Sequence, residues 1–97
     1  MDVQFRSRRL ERRYHQSGEA VRAWGEEAGR RYVQRINALR KAPAVVDLYG
    51  VRSLDFHPLR GDWAGQYALR LTGQMRLIVT IGDAEQVMVE EVVDYHG

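Results

Sequence analysis

The side chains able to do chemistry in this chain are two histidines, His57 and His96, two arginines, Arg70 and Arg76, and the neighbours Asp94 and Tyr95. Gathered on one surface, they suit phosphoryl transfer within RNA. A base removes the 2′-OH proton, the oxygen attacks the adjacent phosphorus, arginines offset charge on the phosphate oxygens, and an acid protonates the departing 5′ oxygen. Histidine fits either proton role because its ordinary pKa lies near ~6.5, and each positioned acid or base contributes about 10² to 10⁴-fold. The chain has no cysteine, and no H-x₃-H spacing supplies a metal set, so neither metal nor cofactor is expected. Glycine-rich phosphate loops and a G-x-S-x-G elbow are absent.

Each of these residues also has a structural reading. A lone histidine is more often a surface or core residue than a catalyst, Asp94 could pair with Arg76, and Tyr95 could end a strand. His15 has no comparable neighbour. Arg60, in Leu59-Arg60-Gly61-Asp62, reads most simply as a turn charge, with Gly61 and Asp62 shaping the turn.

The elements that must position these groups follow from hydrophobic period. Val3 and Phe5 alternate as a short strand, and Arg6 to His15 places Leu10 and Tyr14 four apart on a helix. Gln16-Ser17-Gly18 breaks that helix. Val21, Trp24, Ala28, Tyr32, Ile36 and Leu39 then predict one helix running to Lys41 before Pro43, with Arg22, Glu26, Arg30 and Arg35 facing water. Gly25 and Gly29 would cost that helix about 1 kcal/mol each relative to alanine. Beyond a connection over 42–51 the period becomes two. Alternation predicts strands around Leu54/Phe56, Tyr67–Leu71, Leu77–Ile81 and Val87–Val89, divided by turns at 58–65, 72–74 and 82–84. The expected fold is α+β: a short N-terminal strand, two helices, and a curved antiparallel sheet of about four strands, all in one domain over 1–97.

Register sharpens this. Centring a hairpin on Gly73 opposes Leu71 with Met75, Leu69 with Leu77 and Tyr67 with Val79, whereas a slip of one residue pairs leucine with arginine. The same register sets Arg70 across from Arg76 on the face away from the helices, where opposed like charges invite an anion. Parity adds His57 to that face. Strict alternation in the last strand would add Asp94 and His96 but bury Glu91; a bulge near Glu90-Glu91 would instead expose Glu91 and substitute Tyr95.

Composition bounds the possibilities. At 97 residues and 11.2 kDa, with 44% hydrophobic and 29% charged residues, there is room for one core and no second domain. The absence of cysteine suits a reducing compartment, and no apolar run approaches the ~18 residues of a membrane span, so a cytoplasmic protein with no membrane partner is expected. Net charge is only +2, yet residues 1–41 carry eleven cations against five acids and residues 42–97 four against eight. Fourteen of the fifteen cations are arginine, whose planar fork suits phosphate.

The residues His57-Pro58-Leu59-Arg60-Gly61-Asp62, Gly65-Gln66-Tyr67-Ala68-Leu69-Arg70-Leu71, Gln74-Met75-Arg76-Leu77-Ile78 and Val93-Asp94-Tyr95-His96 resemble, in this order and over nearly the whole chain, the HigB-type toxins of the RelE/ParE superfamily. That family typically shows a proline-leucine-lysine-glycine-aspartate turn, a glycine and an aromatic opening the next strand, a tryptophan-arginine-isoleucine step and an aspartate-tyrosine-histidine end. Arg60 departs from the usual lysine, which keeps the charge but forecloses lysine-type proton transfer, and Met75 departs from the frequent tryptophan.

The resemblance implies a ribosome-dependent endoribonuclease that cuts mRNA in the decoding site. It also implies a helix-turn-helix antitoxin of HigA type as partner, the pair binding operator DNA. Carried over, His57, Asp94, Tyr95, His96 and Arg76 match catalytic positions, and Arg60 and Arg70 match RNA-contacting ones. Arg8, Arg9 and Arg12 on the first helix would grip ribosomal RNA phosphates. Ribosome dependence fits the size of the chain, since a small enzyme has little surface with which to align RNA and gains from a codon already held in place. Two other readings stand beside this one: a ParE-like inhibitor of DNA gyrase that cuts nothing, and an inactive binding module of the same fold.

Overall fold

Val3–Phe5 forms β1 and Arg8–His15 forms α1, the helix opened by Ser7, whose hydroxyl accepts from the Leu10 amide at 3.1 Å. The computed structural model, which describes residues 1–95, divides the next segment where periodicity predicted continuity. Ser17–Trp24 (α2) and Glu26–Lys41 (α3) are separate helices. Between them Gly25 sits at φ 91° and ψ 169°, a conformation that glycine reaches without strain. The chain thereby folds α2 back onto α3 at Gly29, where a Cβ would stand 2.6 Å from the Val21 Cα and 2.8 Å from the Ala20 carbonyl carbon. The apolar spacing was real, but it belongs to two helices that meet at a glycine.

The connection after α3 turns through two 3-10 segments, Val45–Gly50 and Arg52–Leu54. The strand expected around Leu54 and Phe56 shrinks to His57–Pro58 (β2), because Asp55 adopts φ 46° and ψ 47° and redirects the backbone before any ladder begins. Gln66–Arg70 (β3), Met75–Ile81 (β4) and Val87–Asp94 (β5) complete a five-stranded sheet in the order β1-β5-β4-β3-β2. Its pairs are antiparallel except β1 with β5. Local patterning could not reveal that parallel fifth strand, since nearly the whole chain lies between its partners. The β3–β4 register is the expected one: Tyr67 opposes Val79, Leu69 opposes Leu77 and Arg70 opposes Arg76.

The helices cover one face of this sheet. Leu10, Ala20, Tyr32, Ile36 and Leu39 pack on Leu69, Leu71, Leu77, Val79, Val87 and Val89, and Leu48, Leu54 and Phe56 close one edge. Tyr32 is fully buried, and its hydroxyl donates to the Leu10 carbonyl at 2.7 Å, tying α3 to α1. Arg35, expected in solvent, is also buried. It falls at the three-and-four spacing of Ala28, Tyr32 and Leu39 and so belongs to the apolar stripe despite its charge. Among the described residues no helix is long and apolar enough to cross a membrane.

Candidate functional site

The opposite face of the sheet is organised in cross-strand rows. His57 pairs with Ala68, Ala68 with Ile78, and Ile78 with Glu91, so these four lie on one face in one line. Ala68 and Ile78 are fully buried yet stand outside the helix-side core, forming a dry floor between the histidine and the carboxylate. Two residues along, Arg70, Arg76 and Val93 form the next row. With strand spacing of ~4.8 Å and a rise of ~3.4 Å per residue, the His57 Cα stands about 8 Å from that of Arg70, about 12 Å from Arg76 and about 14 Å from Glu91.

His57 is half-buried and its orientation is fixed. Its Nδ1 lies 2.8 Å from the Asp55 carbonyl oxygen. A carbonyl only accepts, so Nδ1 carries the proton, and in the neutral form of the ring the lone pair is at Nε2. Aspartate tolerates the left-handed conformation that this geometry requires. The same local bend that shortened β2 thus sets the tautomer of the histidine.

The two arginines stand opposed as the sequence predicted, but they are held differently. Arg70 is exposed, whereas Arg76 is buried and turns its Nη1 back to donate to the carbonyls of Thr72 at 2.6 Å and Met75 at 3.0 Å. Carbonyl dipoles thereby relieve the like-charge opposition. The Arg76 guanidinium also lies 5.4 Å from the ring centre of Tyr95, which is 48% exposed. Behind the sheet, Arg35 donates to the Arg70 carbonyl at 2.9 Å and the Ser53 carbonyl at 3.2 Å, and Arg31 donates to the Leu71 carbonyl at 3.2 Å. Three successive carbonyls, of residues 70, 71 and 72, are each held by a guanidinium. Burial, with the nearby charge of Arg31, pulls the Arg35 pKa below its ordinary value.

A bulge falls where the two glutamates predicted it. Val79 pairs with Val89 but Ile78 pairs with Glu91, leaving Glu90 as the extra residue. Glu90 accepts from the Arg6 Nε and Nη2 at 2.9 Å each and from the Thr80 hydroxyl at 2.7 Å. The hydrogen bonds from Arg6 hold its carboxyl below the usual range, against partial burial and with help from Thr80. Glu91 therefore faces the open side. Sequence reasoning did not name it as a site residue, although a carboxylate at core parity was the signal.

The bulge also decides among the C-terminal candidates. Tyr95 joins the open face, with its amide donating to the Gln74 carbonyl at 2.8 Å. Asp94 does not lie on the open face where strict alternation would put it: it pairs with Met75, whose side chain packs on the helix-side core. His96 lies outside the described residues.

Other candidates are spread out. Arg60 is exposed in the loop beyond the Gln66 end of β3, at the opposite end of the strand from Arg70, and its carbonyl accepts from the Trp63 amide at 3.2 Å. Arg8, Arg9 and Arg12 are exposed on α1, which packs with β1, four strands and about 19 Å from β2. They form a second basic surface rather than part of the His57 face. Among the described residues no three His, Asp or Glu side chains cluster in a manner that could hold a metal ion.

No family model matches the sequence, and no curated protein matches it. Solved structures match the fold over almost the entire chain. YafQ from E. coli strain BL21(DE3) is similar with a TM-score of 0.61 and 12% identity, over 96% of this chain and 91% of YafQ. The YoeB-YefM complex from Staphylococcus aureus is similar with a TM-score of 0.62 and 14% identity, over 100% and 98%. The YoeB/ParE toxin from Agrobacterium tumefaciens gives 0.57 and 19%, over 99% and 100%. The chain therefore has the α+β fold of these proteins.

Proposed function

We propose that this chain is the toxin of a type II toxin–antitoxin pair and acts as a ribosome-dependent endoribonuclease on mRNA. The observation that carries the reading is His57. Its Nδ1 is tied to a main-chain carbonyl, which leaves Nε2 as the acceptor of the neutral ring, and the sheet register puts His57 on the same face as Arg70, Arg76 and Tyr95. The resemblance to HigB-type toxins and the shared fold with YoeB, crystallised with YefM as a toxin–antitoxin complex, support it from outside the site.

In the proposed reaction the 2′-OH gives its proton to the His57 Nε2 and its oxygen bonds to the adjacent phosphorus. The bond from phosphorus to the 5′ oxygen breaks, leaving a 2′,3′-cyclic phosphate. The departing oxygen takes a proton from the Tyr95 hydroxyl, and solvent exchange restores both groups. Arg70 offsets charge on the phosphate oxygens, while Arg76, already engaged with carbonyls, holds Tyr95 in place. Arg60 continues the basic track toward the far end of β3. No step uses a metal or cofactor.

The exposed arginines of α1, Arg8, Arg9 and Arg12, would seat the protein on ribosomal RNA and leave the His57 face toward the message. A HigA-type helix-turn-helix antitoxin is the partner this reading requires, and the pair would bind operator DNA. The test is to map mRNA 5′ ends after brief expression of the wild type and of a His57→Ala, Arg70→Ala double variant, and to repeat the cleavage in vitro with and without ribosomes. New 5′ ends that need both the intact site and the ribosome are expected. Growth arrest with failing DNA supercoiling and no new 5′ ends would replace this reading with gyrase inhibition.

A further inference from the structure

His57 opens a strand of only two residues, and little of the sheet holds it. It pairs with Ala68, and Pro58, opposite Tyr67, has no N–H to give. The Leu59 amide donates to the Gln66 carbonyl at 2.8 Å. Hydrogen-bonded pairs therefore fall at Leu59/Gln66 and His57/Ala68, and the next in an unbroken antiparallel ladder would be Asp55/Arg70. That pair does not form. Asp55 lies in the left-handed region at φ 46°, and its amide donates to the Arg52 carbonyl at 3.1 Å instead. The Arg70 carbonyl accepts from the Arg35 Nε at 2.9 Å, and the Arg35 Nη2 donates to the Ser53 carbonyl at 3.2 Å. One buried guanidinium thus stands in place of the missing ladder bond and ties the turn before His57 to the strand that carries Arg70.

Taking a guanidinium out of water is costly, and an apolar side chain of similar volume commonly serves a core as well or better. Arg35 sits on α3 among the buried Tyr32, Ile36 and Leu39, where packing alone asks for no charge. What an apolar side chain cannot do is hold two carbonyls on two separate segments, which the planar fork of arginine does in one fixed geometry. Resting on the nuclease reading, we propose that Arg35 is a positioning residue for RNA cleavage, setting the separation and orientation of His57 and Arg70 from the helix side of the sheet. The path to the imidazole is short. Ser53 is two residues from Asp55, whose carbonyl holds the His57 Nδ1 at 2.8 Å, and the buried Leu54 and Phe56 anchor the chain on either side of Asp55. Alignment of a base and a cation around one phosphate is what such a clamp preserves, and a misplacement of about 1 Å costs about 10²-fold in rate.

The test compares the full chain with its Arg35→Lys and Arg35→Met variants by two readouts. NMR of the His57 ring nitrogens reports which one bears the proton in the neutral ring, and single-turnover cleavage on programmed ribosomes separates the saturating rate from the half-saturating concentration. An amide spectrum unchanged away from residues 52–57 and 70–72 certifies each fold. Wild-type His57 is expected in the Nδ1–H form. Both variants should show a mixture of tautomers and a saturating rate lower by about 10 to 10²-fold, with half-saturation within about twofold of wild type, because Arg60, Arg70 and the arginines of α1 are untouched. Asp55→Val, exposed and unfavourable to the left-handed region, interrupts the same path beyond Arg35 and should give the same mixture; a wild-type tautomer there would break the link between turn and imidazole. Folded Arg35 variants that keep the Nδ1–H form and the wild-type rate would overturn the proposal, and failure of both to fold would reduce Arg35 to core stability alone. The NMR readout does not depend on cleavage, so tautomer mixing in variants of a chain that cuts no mRNA would sink the nuclease reading and leave the clamp on His57 standing.

Discussion

The Arg35 guanidinium, buried beneath the sheet, donates to the main-chain carbonyl of Arg70 at 2.9 Å, while the Arg70 side chain emerges on the opposite face. One arginine thus fixes the backbone from which another meets solvent. Because the carbonyls of Leu71 and Thr72 are held by Arg31 and Arg76, the end of the β3–β4 hairpin is clamped from both sides.

Arg35→Ala should lower unfolding free energy by about 2 to 3 kcal/mol, since charged hydrogen bonds to two carbonyls vanish and those acceptors remain partly desolvated. Arg35→Lys should recover only part of the loss, lacking the fork to reach both. Urea denaturation measures this, and a midpoint unchanged in Arg35→Ala would refute the clamp.

Two glycines should respond with opposite signs. Gly29→Ala drives a methyl to 2.6 Å from the Val21 backbone, and atoms of a main chain cannot yield as a flexible side chain would. A loss of about 1 to 3 kcal/mol is expected. Gly18, within α2 and with nothing within 4 Å of its added Cβ, should gain up to about 1 kcal/mol on substitution by alanine. Thermal unfolding of the two variants side by side tests the helix crossing.

Glu90 should make stability depend on pH in a known direction. Its carboxyl, held below an ordinary 4.5 chiefly by the hydrogen bonds from Arg6, favours the folded state when ionised. That contribution is complete above the ordinary carboxylate range and disappears as pH falls through the lowered folded-state value. Glu90→Gln should cost about 1 kcal/mol at neutral pH and flatten the acid limb of the stability curve. An unchanged acid limb would show that the Arg6 and Thr80 contacts contribute nothing.

Tyr95 separates stacking from proton donation. Tyr95→Phe retains the ring against Arg76 and removes only the hydroxyl, so a proton donor at this position predicts a fall in cleavage of about 10² to 10⁴-fold. Cleavage that survives in Phe but fails in Tyr95→Ala would reduce the role of the ring to holding Arg76. Single-turnover cleavage on programmed ribosomes distinguishes these outcomes.

Much of this was written locally in the chain. Alternating residues around Gly73 fixed the β3–β4 register, because any slip would bury arginine against leucine, and that register placed Arg70 opposite Arg76. The Glu90-Glu91 pair marked the bulge, since strict alternation would have buried an unpaired carboxylate. Long-range contacts decided the remainder. The parallel β1 depends on a partner more than eighty residues away, Gly25 splits the helix because α2 must reach Gly29, and Arg35 is buried because hairpin carbonyls wait for it. Whether Arg76 would greet an anion or its own backbone, and which nitrogen of His57 would hold the proton, turned on where main-chain oxygens came to rest. Side-chain period reports only which face is apolar, so the direction of a carbonyl becomes known once the chain has folded around it.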